Sequence, residues 1–173
     1  MNVLSLFKSI KAFAFDVDGV LTDGTLFLMP VGEMVRRMNI KDGYALQLAV
    51  KKGYHVIIIS GGNSELVQER LEKLGVTEVH MQVHDKAAVL QQFMDKHQLS
   101  KEQVLFMGDD MPDLEVMSIT GLPCSPADGC TEVKEASLYI SPCKGGEGAA
   151  RDVIEKVLKL NDHWHHNTTV QSR

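Results

Sequence analysis

Residues 10–15, apolar and aromatic except for Lys11, form a run with the length and composition of a buried strand, and the run ends abruptly in acid, Phe15-Asp16-Val17-Asp18-Gly19. In an extended chain, residues i and i+2 project to the same side. Asp16 and Asp18 can therefore address one small volume beyond the strand end. Gly19 and Gly24 let the chain turn sharply there. In an open α/β sheet, ligands bind in that volume. Two neighbouring carboxylates repel, so a cation is the natural third party. Hard oxygen ligands of this kind suit Mg²⁺. An acidic turn after a strand explains a lone pair of acids equally well, so the remainder of the chain has to decide.

Two further strong strands are read at 55–59 and 104–107, with weaker ones at 79–83, 122–125 and 138–140. Helical patterns lie between them. One runs through Ala45, Leu46 and Leu48. The next carries Leu66, Val67, Leu71 and Leu74, and a third begins at Lys86 behind Asp85 as N-cap. A helix near 128–136 and a last one through Val153, Ile154, Val157 and Leu158 complete the set. Strands alternating with helices imply parallel β-α units and a three-layer α/β/α, Rossmann-like sandwich. Two short β-compatible runs around Pro30 and Gly32 predict a β-hairpin over 25–39, too small to be a domain and read as a flap or an association surface. With 173 residues and no internal repeat or linker, 1–173 is expected to be a single domain. The polar end, 161–173, is expected to be flexible. Its histidines, His163, His165 and His166, lack a defined metal-binding spacing.

Composition removes several classes of function. A net charge of −5 disfavours a nucleic-acid partner, which selects for a basic face. No stretch approaches the ~20 apolar residues of a membrane span. The first residues carry neither a charged n-region nor a small-residue cleavage site, so a cytoplasmic location is expected. Cys124, Cys130 and Cys143 are odd in number and lack a C-x-x-C spacing, which argues against a disulfide framework or a zinc site.

In a parallel sheet all strand carboxyl ends lie on one edge. The strong strands end in Asp16 and Asp18, in Ser60-Gly61, and in Gly108-Asp109-Asp110-Met111-Pro112-Asp113, and Lys86 opens a helix between the last two. Acids, a hydroxyl and an ammonium distant in sequence are thus predicted to converge. In this order they resemble the four motifs of the haloacid dehalogenase superfamily. Only the hairpin separates the first two motifs, and residues 145–151, Gly-Gly-Glu-Gly-Ala-Ala-Arg, add a fifth match. Together these motifs resemble the small capless phosphatases that act on 2-keto-3-deoxy sugar acid phosphates, above all 3-deoxy-D-manno-octulosonate 8-phosphate (KDO 8-phosphate).

The resemblance implies roles. Asp16 would attack phosphorus and carry an aspartyl-phosphate. Asp18 would protonate the leaving oxygen and then take a proton from water. Mg²⁺ would sit on the carboxylates of Asp16 and Asp109 and the backbone carbonyl of Asp18. Ser60, Gly61 and Lys86 would hold the phosphoryl group, and Asp110 and Asp113 would support the metal's water or Lys86. It also implies a homotetramer in which hairpins pack together. One departure stands out: many relatives carry a charged residue directly after the Ser/Thr-Gly pair, and here that residue is Gly62. Arg36, Arg37, Lys41, Arg70 and Arg151 remain as candidate partners for a substrate carboxylate, with Lys41, Arg70 and Arg151 favoured. Phosphate esters of nine-carbon sugar acids are the alternative substrates. A phospho-accepting receiver module is the distant alternative, and it fits poorly. Such a module places its acid pair side by side after the first strand and its phosphorylated Asp after the third, whereas here the strand over 55–59 ends in Ser60.

Overall fold

The computed structural model describes residues 3–32, 34–166 and 169–170. Its centre is β1 (Ala12–Phe15), every residue of which is buried. β1 lies between β4 (His55–Ile59) and β6 (Val104–Met107), parallel to both. Beyond β4 comes β5 (Glu78–His80), and beyond β6 come β7 (Leu122–Ser125) and β8 (Tyr139–Ile140), giving a six-stranded parallel sheet in the order β5-β4-β1-β6-β7-β8. The expected three-layer α/β architecture is the observed one.

Strand alternation decides which layer each side chain joins. Phe13, Phe15, Ile58, Leu105 and Met107 face one side, where they meet α1 (Val3–Ser9), α2 (Ile40–Lys51) and α7 (Ala149–Leu160). Ala12, Ala14, Ile57, Ile59, Val104 and Phe106 face the other, against α4 (Lys86–Lys96), α5 (Leu114–Ser118) and α6 (Thr131–Ala136). The register matches volumes: small Ala14 is paired with Ile57 on one neighbour and Phe106 on the other. α3 (Glu65–Lys73) follows β4 and buries Val67 and Leu71. Ser64 and Asp85 cap α3 and α4 through their side chains.

Several expectations are refined. The fifth strand stops at His80 instead of continuing to 83, because Gln82 takes a positive φ. Residues 82 and 83 instead donate backbone hydrogen bonds to Gly62 and Ser60. α6 starts at Thr131 rather than near 128, since the preceding residues turn so that the Cys130 N–H bonds the Asp109 carbonyl. The hairpin is present as β2 (Phe27–Leu28) and β3 (Met34–Val35), antiparallel around a 3₁₀ turn. α1 has no counterpart in the sequence reading; its single buried residue, Phe7, meets Tyr139 edge-on at 5.1 Å. The expectation of a flexible end does not describe His163 and Trp164. The Tyr54 hydroxyl hydrogen-bonds His163 at 3.0 Å, and Trp164 stands edge-on to Tyr44 beneath the Arg151 guanidinium. Glu33 of the expected hairpin and, of the expected tail, 167–168 and 171–173 lie outside the described residues. Among the described residues no helix is long and apolar enough to cross a membrane.

α7 begins at Gly148, which has no side chain to cap it. The cap comes from α2. Asp42 is buried, and its Oδ1 accepts from the Arg151 backbone N–H at 2.8 Å. Oδ2 has no partner. Burial pushes the Asp42 carboxyl up to about 6, against the pull of the Arg151 and Gly148 N–H groups. Between the ordinary carboxylate pKa and about 6 the folded state therefore binds more protons than the unfolded state, so Asp42 makes stability fall as pH rises through that window. Asp42→Asn keeps an acceptor and removes the titration. Urea unfolding from pH 4 to 7 is expected to show the variant gaining on the wild type by on the order of 2 kcal/mol across this range.

Candidate active site

At the carboxyl edge of β1, β4 and β6 the chain forms a cleft of about 360 Å³, lined by Asp16, Asp18, Ser60, Gly61, Gly62, Lys86, Asp109, Asp110 and Asp113, among others. The acids, Ser60 and Lys86 of the first four motifs all line it, whereas residues 145–151 do not. The cleft is built by strand ends that arrive together because β1 pairs in parallel with both neighbours.

Lys86 is the hub. It is buried at the first turn of α4, and its Nζ lies 3.1 Å from Asp16 Oδ2 and 2.7 Å from Asp113 Oδ1. The other Asp113 oxygen accepts from the Asp109 N–H at 2.9 Å, so Asp113 ties the ammonium to the loop after β6. Asp16 Oδ1 accepts from the Val17 N–H at 2.7 Å, which orients the carboxylate. Burial alone would lower the Lys86 pKa; Asp16 and Asp113 more than reverse that, and the ammonium is held charged.

The carboxylates outnumber their cation. Asp16, Asp109 and Asp113 bring oxygens within 4.8 Å of one another, and Lys86 alone of the described lysines faces them. Burial, then repulsion from Asp113, pushes Asp16 up to about 7 despite Lys86. Burial, then repulsion from Asp16, Asp113 and Asp110, pushes Asp109 up to about 7. A set of hard oxygens short of positive charge is a fitting seat for a divalent cation. Within the set Asp113 is engaged by Lys86 and the Asp109 N–H, and Asp16 by Lys86 and the Val17 N–H.

Close backbone approaches keep this set together. Gly19 has φ +86°, and a Cβ there would lie 1.9 Å from Asp109 Oδ2, so only glycine lets the two loops meet. Residues 145 and 146 press on the same loop from behind. The Gly146 N–H bonds the Val20 carbonyl at 2.9 Å, and a Cβ on Gly145 would lie 1.8 Å from the Gly19 carbonyl oxygen. Gly145 and Gly146 are buried and brace the Asp16 loop.

Lys41, Arg70 and Arg151 are not among the residues lining this cleft. Lys41 and Arg151 line a separate depression beside Glu155 and Lys159. The Arg70 guanidinium lies against Gly43 of α2. Arg36 does not line the cleft either, but it pairs with a residue that does, Asp18, at 2.6 Å. In the sequence it is one of two adjacent arginines on the hairpin, Arg36 and Arg37, with no local pattern to single it out. Val83 and His84 also line the cleft without a sequence signal.

Residues 73–152 match the model of the haloacid dehalogenase-like hydrolases. A curated relative, the 3-deoxy-D-manno-octulosonate 8-phosphate phosphatase of Yersinia pestis, is 31% identical over 161 residues, covering 93% of this chain and 86% of its own. The chain belongs to the haloacid dehalogenase-like hydrolases. Among solved members, the Moraxella catarrhalis 3-deoxy-D-manno-octulosonate 8-phosphate phosphatase in complex with magnesium, phosphate and KDO superposes on this hydrolase with a TM-score of 0.89. That structure is 33% identical, with 93% of each chain covered. A cobalt-bound form of the Haemophilus influenzae phosphatase gives a TM-score of 0.86 at 28% identity, with 91% of this chain and 92% of that one covered.

The bracing of the Asp16 loop can be measured. Gly145→Ala is expected to lower stability by about 1–3 kcal/mol, the usual cost of overpacking, in denaturant unfolding. Lys144→Ala, one residue away and exposed, is expected to stay within about 0.5 kcal/mol of the wild type. A loop free of the body would give small effects at both positions.

Proposed function

We propose that this hydrolase is an Mg²⁺-dependent phosphatase of 2-keto-3-deoxy sugar acid phosphates, acting on KDO 8-phosphate to release KDO and phosphate. The observation that carries the reading is one cleft in which a lysine-steadied carboxylate, a hydroxyl and a cation-deficient acid set face the same space. Relatives of known substrate, including a KDO complex, support the choice of sugar acid.

Asp16 is the nucleophile. Its carboxylate attacks phosphorus, the bond to the sugar oxygen breaks, and an aspartyl-phosphate forms. Asp18 delivers a proton to the leaving oxygen, then takes one from the water that hydrolyses the acyl phosphate. The Ser60 Oγ accepts from the Gly62 N–H at 3.1 Å, which leaves its own proton free for a phosphoryl oxygen. Gly61 lets that oxygen approach, and Lys86 offsets its charge while steadying Asp16. Asp110 and Asp113 shape the loop that presents Asp109. When bound on Asp16, Asp109 and the backbone carbonyl of Asp18, Mg²⁺ supplies positive charge to the carboxylates and the phosphoryl oxygens.

The same proposal includes a homotetramer and a cytoplasmic location. Leu26, Phe27, Leu28, Met29 and Met34 are exposed on the hairpin, an apolar surface that association would cover. Lys41, Arg70 and Arg151, which lie off this chain's own cleft, are kept in the proposal as substrate-binding residues.

The test is phosphate release from KDO 8-phosphate, from the 9-phosphates of ketodeoxynonulosonate and N-acylneuraminate, and from glucose 6-phosphate, with Mg²⁺ and with chelator. KDO 8-phosphate is expected to give the highest kcat/KM, and chelator is expected to abolish turnover. A nine-carbon preference would reassign the substrate, and metal-independent turnover would overturn the mechanism. Asp16→Asn is expected to lose activity by on the order of 10⁴-fold or more while remaining folded. Mg²⁺ is expected to raise the unfolding midpoint of the wild type and to do so far less in Asp109→Asn, because a ligand stabilises only the state that binds it.

A further inference from the structure

Arg36 is almost wholly buried, its side chain 3% exposed, whereas the Asp18 side chain it pairs with is 34% exposed. The guanidinium donates from Nε to Asp18 Oδ1 at 2.6 Å and from Nη2 to Oδ2 at 3.1 Å, a two-point grip. Nη1 donates to the Met34 carbonyl at 3.0 Å, which fixes the fork to the hairpin. Room for this grip depends on Gly62. A Cβ there would stand 2.9 Å from Asp18 Oδ2 and 3.1 Å from Arg36 Nη2. Position 62, where many relatives carry a charge, is thus empty of side chain here, and a cation from another element occupies the space.

We propose that Arg36 is the carboxylate receptor of this site. In the free enzyme it holds Asp18 as a carboxylate; when an acidic sugar phosphate binds, it passes to the substrate carboxylate and releases Asp18 towards the leaving oxygen, and Asp18 takes up from water the proton that it then donates. The inference rests on the phosphatase reading and adds a residue that sets its specificity.

The asymmetry in burial drives the exchange. A buried guanidinium stripped of its partner is strongly unfavourable, so Arg36 needs one carboxylate at all times. Asp18, open to the cleft, can turn into water at small cost. An incoming carboxylate matches the same planar fork and can take its place. A neutral sugar phosphate brings no replacement, so Asp18 stays held and the leaving oxygen lacks its proton donor. The phosphoryl group does not compete for Arg36, because Ser60 and Lys86 already face it. In the pyranose form of a 2-keto acid sugar, the ring oxygen links the carboxylate-bearing carbon to the end that carries the phosphate. Both charges therefore fall within the reach of neighbouring residues.

The experiment compares KDO 8-phosphate with glucose 6-phosphate on the wild type, Arg36→Gln, Arg36→Lys and Gly62→Ala, with Mg²⁺ present. Arg36→Gln is expected to lose roughly tenfold or more in kcat/KM on the acidic substrate, mostly through KM, as a charge-assisted pair is removed. On glucose 6-phosphate it is expected to gain, because Asp18 is released. Arg36→Lys, charged but without the fork, should fall between. Gly62→Ala, whose methyl intrudes between Nη2 and Asp18, should move the ratio of the two substrates in the same direction as Arg36→Gln, and it carries the test if Arg36→Gln does not fold. Equal losses on both substrates, or an unchanged ratio, would overturn the role of Arg36. A wild type that hydrolyses neither substrate would instead overturn the phosphatase reading on which it rests.

Discussion

The structure depends on an excess of buried negative charge at one edge of its sheet. Asp16, Asp109 and Asp113 crowd together around a single ammonium, and the first two are driven up to about 7 as a result. Such a cluster is costly in a metal-free fold, because burying carboxylates without counter-charge disfavours their ionised form. It persists because the hydrophobic sheet beneath it is buried on both faces and holds the loops where they are. The charge deficit is also what makes the site useful. A divalent cation and a lysine together suit a phosphoryl group, whose transfer needs positioning and charge stabilisation more than covalent assistance.

The loops that carry the acids are held by backbone, not by long side chains. Gly19 admits Asp109 at a distance no Cβ would allow, and Gly145 admits the Gly19 carbonyl in turn. Asp42 extends the chain of support by capping α7 from α2, so the segment that braces the Asp16 loop is itself anchored to a helix start. Three stretches far apart in sequence, around residues 16–24, 42 and 145–151, form one mechanical unit behind Asp16. A strained or loosened member of that unit is therefore felt at the Asp16 carboxylate.

The hairpin has two faces with different consequences. One presents Leu26, Phe27, Leu28 and Met29 outward. The other sends Arg36 inward, to Asp18, through the space left by Gly62. An insertion too small to be a domain thus reaches Asp18, at the cleft, with a single side chain.

Much of the architecture was legible in the residues. Apolar runs of strand length alternating with capped helices require a parallel sheet, and a parallel sheet places all its carboxyl ends on one edge. That topology alone brings Asp16, Asp18, Ser60, Lys86, Asp109 and Asp113 into one cleft, so no long-range information was needed to name them. Other features had no local signature. α1 and the docking of Trp164 depend on contacts with distant elements, and a polar end reads as free until its partners are known. The bracing role of Gly145 depends on which loop lies opposite. Arg36 is separated from Lys41, Arg70 and Arg151 by direction, since a basic residue in a sequence carries charge but not orientation. Sequence periodicity and strand-end chemistry determined the fold and the acid cluster of this chain. Only the tertiary structure decided which cation meets Asp18 and what holds the Asp16 loop in place, because both depend on contacts between segments more than a dozen residues apart.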